Sequence, residues 1–186
     1  MKNNRRLWEH TGSDEHAIKT LHEYLKAAGI GISILDDAIL DVGCGEASFL
    51  EAAGKYHPRA RLIGIDTDPD AVEAAKKRVP NADIRLANAQ QIPFPSGSFT
   101  VVHSAQLFYY DGFWDPPKTL EVPKVVAEIY RVLNRGGIYW MREEGDPGYD
   151  RETLTTAGFH PLNKAYHVFQ KRESFSQMIR GFFSTD

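Results

Sequence analysis

Apolar positions along the chain fall into two alternating kinds of segment. Ala17, Ile18, Leu21, Leu25 and Ala28 recur at helical spacing. They predict a helix that Ser13 caps, that carries Asp14 and Glu15 in its first turn and that Gly29 stops. Ala38-Ile39-Leu40-Asp41-Val42 is instead a short run that enters Gly43-Cys44-Gly45, the form of a strand buried in a parallel sheet. The same two forms then repeat. Glu46 to about Tyr56 reads as helix, and Arg61 to Ile65 as a strand ending at Asp66. Asp68-Pro69 starts the next helix, with Asp as N-cap and Pro at the first helical position, and the helix stops before Pro80. Ala82 to Ala87 and Phe99 to Ser104 read as strands on either side of a turn cluster, Pro93 to Gly97. Val122 to Leu133 reads as a helix broken by Arg135-Gly136-Gly137, and Ile138 to Met141 as a fifth strand. Arg151 to Ala157 is a short helix closed by Gly158, with Leu162–Tyr166 and Val168–Lys171 as two final strands.

Such alternation predicts an α/β fold, a parallel sheet with helices on both faces. Ligands of these sheets bind beyond the carboxyl ends of the strands, where the strand order reverses. A length of 186 residues, with 42% hydrophobic and 25% charged, suits one soluble globular domain and excludes a disordered or collagen-like chain. No apolar run approaches about 18 residues, so a membrane-spanning helix is not expected. The net charge of −3 weighs against a strong nucleic-acid binder. Cys44 is the single cysteine, and Met1–His10 has no apolar secretory run, so a cytoplasmic setting is expected.

Gly43-Cys44-Gly45 stands where the first strand turns into its helix, and its glycines let the backbone approach a ligand closely. Asp66 ends the second strand 21 residues after Gly45, where a carboxylate can accept hydrogen bonds from both hydroxyls of a ribose. Ser48 occupies the position of a dinucleotide site's third glycine. Asp41, two residues before the first glycine, is ill placed beside a pyrophosphate and suits a ligand bearing an ammonium group. Both features count against a nicotinamide-dependent oxidoreductase.

The motif Ile39-Leu40-Asp41-Val42-Gly43-Cys44-Gly45 resembles the first motif of class I S-adenosylmethionine-dependent methyltransferases. Gly64-Ile65-Asp66 resembles the family's ribose-binding strand end. Ala87-Asn88-Ala89 with Ile92–Phe99 resembles its adenine-contacting turn, and Glu128–Gly137 its helix-to-strand turn before the fifth strand. The resemblance implies a doubly wound, seven-stranded, mostly parallel Rossmann-like sheet with an antiparallel last strand. It also implies S-adenosyl-L-methionine as cofactor, with S-adenosyl-L-homocysteine as product. Asp41, Gly43, Cys44 and Gly45 would surround the methionine part, and Asp66 would hold the ribose. Thr67 would lie beside the adenine, Asn88 and Ala89 would meet its edge, and Ser104 would lie near the sulfonium. Asn88 and Thr100 stand where the family often has Asp, and Arg135 where it often has Pro, as in a diverged member.

Methyl transfer of this kind is a direct displacement in which alignment matters most, so the resemblance identifies the donor and not the acceptor. His103 to Trp114 is unusually aromatic, which suits either a pocket wall for a flat acceptor or ordinary packing on the sheet. His103 is a candidate general base, or a core-facing residue by strand alternation. Tyr109 and Tyr110 are candidate acceptor contacts. Glu143 and Glu144 read as a solvated loop. Asp115-Pro116-Pro117 is similar to the start of the D/N-P-P-Y signature of amino-group methyltransferases, but Lys118 follows, and it reads as a loop. Cys44 reads as a small turn residue rather than a nucleophile. No metal is expected.

The expected organisation is an N-terminal helical extension over 1–37, a methyltransferase domain over 38–172 and a tail over 173–186. In the tail, Phe175, Met178, Ile179 and Phe182 would share one helical face that could dock on the body, a second copy or a partner subunit. A small-molecule acceptor is the expectation. A nucleic acid or protein acceptor stays open, as does a non-catalytic cofactor-binding module that activates another methyltransferase.

Overall fold

The computed structural model describes residues 14–108, 121–143, 151–162 and 168–172. Ser13, Tyr109, Tyr110, Glu144, the Asp115-Pro116-Pro117 segment and the C-terminal tail lie outside the described residues. Seven strands form one sheet: β1 (Ala38–Val42), β2 (Arg61–Asp66), β3 (Asp83–Leu86), β4 (Phe99–Ala105), β5 (Leu133–Arg142), β6 (Phe159–Pro161) and β7 (Val168–Lys171). Their order is β3-β2-β1-β4-β5-β7-β6. The β3-β2-β1-β4-β5 pairs are parallel, and β7 runs antiparallel to both β5 and β6.

Every residue of β1 is buried, because helices cover both faces of the sheet. On one face, α1 (Asp14–Ala27), α2 (Ser48–Tyr56) and α3 (Pro69–Arg78) pack Ile18, Leu21, Leu50 and Val72 against Ile39, Leu62, Val101 and Ile138. On the other, α4 (Val122–Val132) and α5 (Arg151–Thr156) pack Val125, Ile129 and Leu154 against Leu40, Ile63, Val102 and Tyr139. Each such aliphatic side chain contributes roughly 1.5–3 kcal/mol on burial. The α1 stripe, Ala17, Ile18, Leu21 and Leu25, is buried as its spacing predicts, but the helix ends at Ala27 and Ala28 is exposed.

Local chemistry sets most boundaries. Asp68 caps α3 by accepting from the N–H groups of Asp70 and Ala71, with Pro69 following it. Thr100 holds the starts of two strands together: its Oγ1 donates to Asp37 Oδ2 at 2.6 Å and accepts from the Ala38 N–H at 3.3 Å. That gives a hydroxyl a task at the position where the family often carries a carboxylate.

Two boundaries differ from the sequence reading by more than one residue. The helix expected from Glu46 begins at Ser48, because Ala47 takes a left-handed conformation (φ 62°) and the chain turns once more first. β5 begins at Leu133, directly after α4, where Arg135-Gly136-Gly137 suggested a break. Phe99 pairs with Leu133 and Val101 with Ile138, so the glycines lie in a bulge that this pairing absorbs, with Gly136 at φ +77°. The sixth strand is Phe159–Pro161, and the strand expected over Leu162–Tyr166 lies outside the described residues from position 163 on. Phe159 is buried against Tyr139 and Phe169, and the Leu162 N–H donates to the Val168 carbonyl at 2.8 Å.

Candidate cofactor site

The strand order reverses between β1 and β4, and the site is built at their carboxyl ends. β1 runs directly into the glycine turn. Gly43 (φ +74°) and Gly45 (φ +50°) both take left-handed backbone that suits glycine. The turn is tied down to β2: the Gly43 and Cys44 N–H groups donate to the Ile65 carbonyl at 2.9 and 3.0 Å. A Cβ added at Gly45 would meet nothing within 4 Å, so the space over the turn is open.

Asp66, half-buried at the end of β2, accepts from the Gly45 N–H at 2.8 Å and from the Asp68 N–H at 2.9 Å. One carboxylate therefore fixes both the glycine turn and the start of the Asp68 cap. Thr67 beside it is exposed. Beyond β3, the Asn88 side-chain oxygen accepts from the Gln90 N–H at 2.8 Å, and Ala89 is buried beneath. The turn that follows is braced from α4. Glu128 Oε2 accepts from the Ile92 N–H at 2.7 Å, and Arg131 donates to the Ile92 and Phe94 carbonyls at 2.9 and 2.8 Å. The sequence contained this brace within the Glu128–Gly137 motif without revealing what it holds.

On the α1–α3 face of the sheet, one row of residues crosses four strands: Gly64, Asp41, His103 and Trp140. Asp41 and His103 are both buried, and Asp41 Oδ1 lies 2.7 Å from His103 Nδ1. The imidazole stacks on Phe49 with ring centroids 3.7 Å apart and lies 4.9 Å from the Trp140 ring. Ser104 points to the opposite face, fully buried, with its hydroxyl 2.9 Å from that of Tyr139. Thus Asp41, Gly43, Cys44, Gly45, Asp66 and Thr67 gather at one place, Asn88 and Ala89 flank it beyond β3, and Ser104, one residue before the end of β4, faces the far side. Burial and the nearby Asp41 and Asp66 carboxylates push the Cys44 thiol well above its ordinary range, which removes its nucleophilic form. Among the described residues, no three His, Cys, Asp or Glu side chains gather as a metal site.

The carboxyl end of the sheet also holds a residue that the sequence reading assigned to a solvated loop. Glu143, just past β5, is half-buried and accepts from the N–H groups of Leu107 and Phe108 at 2.9 and 3.2 Å. Burial pushes its carboxyl up to about 7, with the two N–H donors pulling the other way. No feature of the local sequence marks this position. Its partners lie 36 and 35 residues away and meet it only through the pairing of β4 with β5.

The donor chemistry suits a cationic nucleoside ligand: an open glycine turn, a ribose-type carboxylate and a second buried carboxylate behind the turn. Comparison with known proteins agrees. The methyltransferase-domain family matches residues 40–141. A demethylmenaquinone methyltransferase of Symbiobacterium thermophilum is 33% identical over 119 residues, 60% of this chain and 44% of that protein. A malonyl-[acyl-carrier protein] O-methyltransferase of Legionella pneumophila is 27% identical over 140 residues, 74% of this chain and 45% of that protein. The chain thus spans less than half the length of these two relatives. A solved S-adenosylmethionine-dependent methyltransferase of Aquifex aeolicus superposes with a TM-score of 0.60 at 20% identity, covering 90% of this chain and 91% of that one, which establishes the shared fold.

Proposed function

The chain belongs to the class I S-adenosylmethionine-dependent methyltransferase family, whose cofactor is S-adenosylmethionine, and we propose that it transfers the methyl group to a small-molecule acceptor in the cytoplasm. The observation that carries this reading is the Gly45–Asp66 hydrogen bond, which sets a carboxylate beside an open glycine turn at the switch in strand order. When bound, the cofactor supplies an electrophilic methyl carbon on a sulfonium.

The chain's own residues bind and orient it. Asp66 already has both oxygens anchored on backbone N–H groups, so it faces a ribose without reorganising. Gly43, Cys44 and Gly45 would lie along the methionine part, with Asp41 behind them supplying negative charge opposite an ammonium. Asn88, Ala89 and Thr67 would hold the adenine, on a turn that Glu128 and Arg131 keep in place. Ser104, near the end of β4, would lie beneath the reacting centre. The domain would run over 38–172, with α1 packed on its sheet.

Three observations support a small acceptor. The net charge is −3, the stretch after β4 is aromatic, and one relative is named for demethylmenaquinone. No helix among the described residues is long and apolar enough to cross a membrane. The test is calorimetry with S-adenosylhomocysteine followed by transfer of labelled methyl to a panel of small acceptors. Asp66→Ala should weaken binding by about 10- to 100-fold, the loss of one or two charge-assisted hydrogen bonds. Binding of NAD with no binding of S-adenosylhomocysteine would overturn the reading. Binding without turnover on any acceptor class would favour a non-catalytic module instead.

A further inference from the structure

We infer that Glu143 is a positioning residue for the acceptor side of the site, one that holds the turn after β4 so that Leu107 lies against the glycine turn. The β4–β5 ladder ends at the Ala105–Arg142 pair and is extended by one bond, the Gln106 N–H donating to the Arg142 carbonyl at 2.9 Å. Gln106 then takes a left-handed conformation (φ +54°), which a residue bearing a Cβ adopts only where its surroundings hold it. Immediately after it, two successive N–H groups converge on one carboxylate: Leu107 on Glu143 Oε1 at 2.9 Å and Phe108 on Oε2 at 3.2 Å. Successive amides in such a turn form a concavity that gathers an anion, and here the anion is a side chain of the next strand.

The consequence for the site runs through Leu107. Its Cδ1 lies 3.2 Å from where a Cβ on Gly43 would stand, so Leu107 rests on the glycine turn itself. Phe108, 2% exposed, anchors the other side of the clamp in the core. A side chain that only filled space would not need both oxygens paired to backbone donors. Glu143 connects the end of β5 to the turn that the family's cofactor lies along, and in that respect the inference rests on the functional reading above.

The ionised carboxylate accepts from both N–H groups, whereas the amide of Glu143→Gln offers a single acceptor oxygen and leaves one of them without it. Among the described residues, Arg142, His103 and Asp66 on the neighbouring elements are committed elsewhere. Arg142 donates to Asp14 of α1 at 2.5 Å, His103 pairs with Asp41, and Asp66 accepts from the Gly45 and Asp68 N–H groups.

The experiment is amide hydrogen exchange by NMR on the full cofactor-free chain at about pH 8, where the carboxylate is ionised, with S-adenosylhomocysteine affinity measured under the same conditions. In Glu143→Gln, protection of the Leu107 and Phe108 amides should fall severalfold while that of Ile39 and Val102 holds, and cofactor affinity should fall in parallel. Should that variant not fold, Glu143→Asp, which keeps the carboxylate on a shorter stem, takes its place with the same expectation. Loop protection as high in the variant as in the wild type overturns the inference. Lowered loop protection with unchanged S-adenosylhomocysteine affinity overturns the role in the site. A wild-type chain that binds no S-adenosylhomocysteine removes the functional reading, and the site role with it.

Discussion

Asp41 and His103 stand side by side on β1 and β4, joined Oδ1 to Nδ1 at 2.7 Å, with 3% and 1% of their surfaces exposed. A carboxylate this deep needs a donor, and the imidazole provides one while Phe49 and Trp140 hold the ring. Asp41 is therefore held in one orientation just before the glycine turn. His103→Phe keeps the volume and removes the donor, and it should cost on the order of 3 kcal/mol in a denaturant titration. His103→Asn, whose side-chain N–H can replace Nδ1–H, should recover much of that loss. S-adenosylhomocysteine affinity should follow the same order. A His103→Phe variant as stable as the wild type would show that the bond has no weight.

Glu143 gives the stability an unusual pH dependence. Its carboxyl is raised from its ordinary 4.5 to about 7, so the folded state binds the proton more tightly than the unfolded chain. Its contribution is fully present below about 4.5 and is lost as the pH rises through about 7. Glu128 has the opposite sign: its hydrogen bond with Arg131 lowers its pKa, and its contribution is lost on acidification. Unfolding titrations should therefore find Glu143→Gln close to the wild type near pH 5 and more stable near pH 8, by a few kcal/mol at most. A difference that shrinks with rising pH would contradict this.

The parts that were legible in the sequence are those governed by short-range chemistry. The apolar run of β1, the Asp68-Pro69 cap and the glycine turn each depend on neighbouring residues, and each appears where the sequence places it. The illegible parts depend on which strands lie together. Asp41 and His103 were each conspicuous alone, but they meet across 62 residues only because β4 pairs with β1. Glu143 looked like a surface carboxylate because the N–H groups that bury it belong to another strand's end. The left-handed Ala47 and Gln106 carry no residue-type signal, since packing rather than propensity imposes their conformation. The early start of β5 follows from its pairing with Phe99, which overrides a glycine pair that locally signals a break.

Gly64 shows how tightly the turn is set on the sheet. A Cβ there would stand 2.8 Å from Cys44 Sγ, 2.9 Å from Ile84 Cδ1 and 3.0 Å from Leu50 Cδ1. Gly64→Ala should destabilise by about 1–3 kcal/mol, the usual range for an overfilled core. Because Cys44 belongs to the glycine turn, the displacement should also weaken S-adenosylhomocysteine binding. Combining it with Cys44→Ala removes the nearest of the three atoms and should restore part of both losses. Thermal unfolding and calorimetry on the two variants check this, and full additivity of the two substitutions would argue against the shared contact.

Lys171 on β7 closes the carboxyl end of α4. Its ammonium donates to the Tyr130 and Leu133 carbonyls at 2.7 and 2.6 Å and lies 4.5 Å from the centre of the Tyr130 ring. Carbonyls at a helix C-terminus have no partner within the helix, and a cation there also suits the helix dipole. Lys171→Met keeps the aliphatic stem and removes the donors, and should cost about 1–3 kcal/mol in an unfolding titration. The effect should reach the cofactor side in a graded way. α4 carries Glu128 and Arg131, which hold the Ile92–Phe94 turn beyond Asn88 and Ala89. Loosening the helix end should raise hydrogen exchange at Ile92 and Phe94 and weaken S-adenosylhomocysteine binding severalfold, while leaving the glycine turn protected. A uniform rise across both regions would instead mark a global loss of stability, and the link from β7 through α4 to the adenine side would fail.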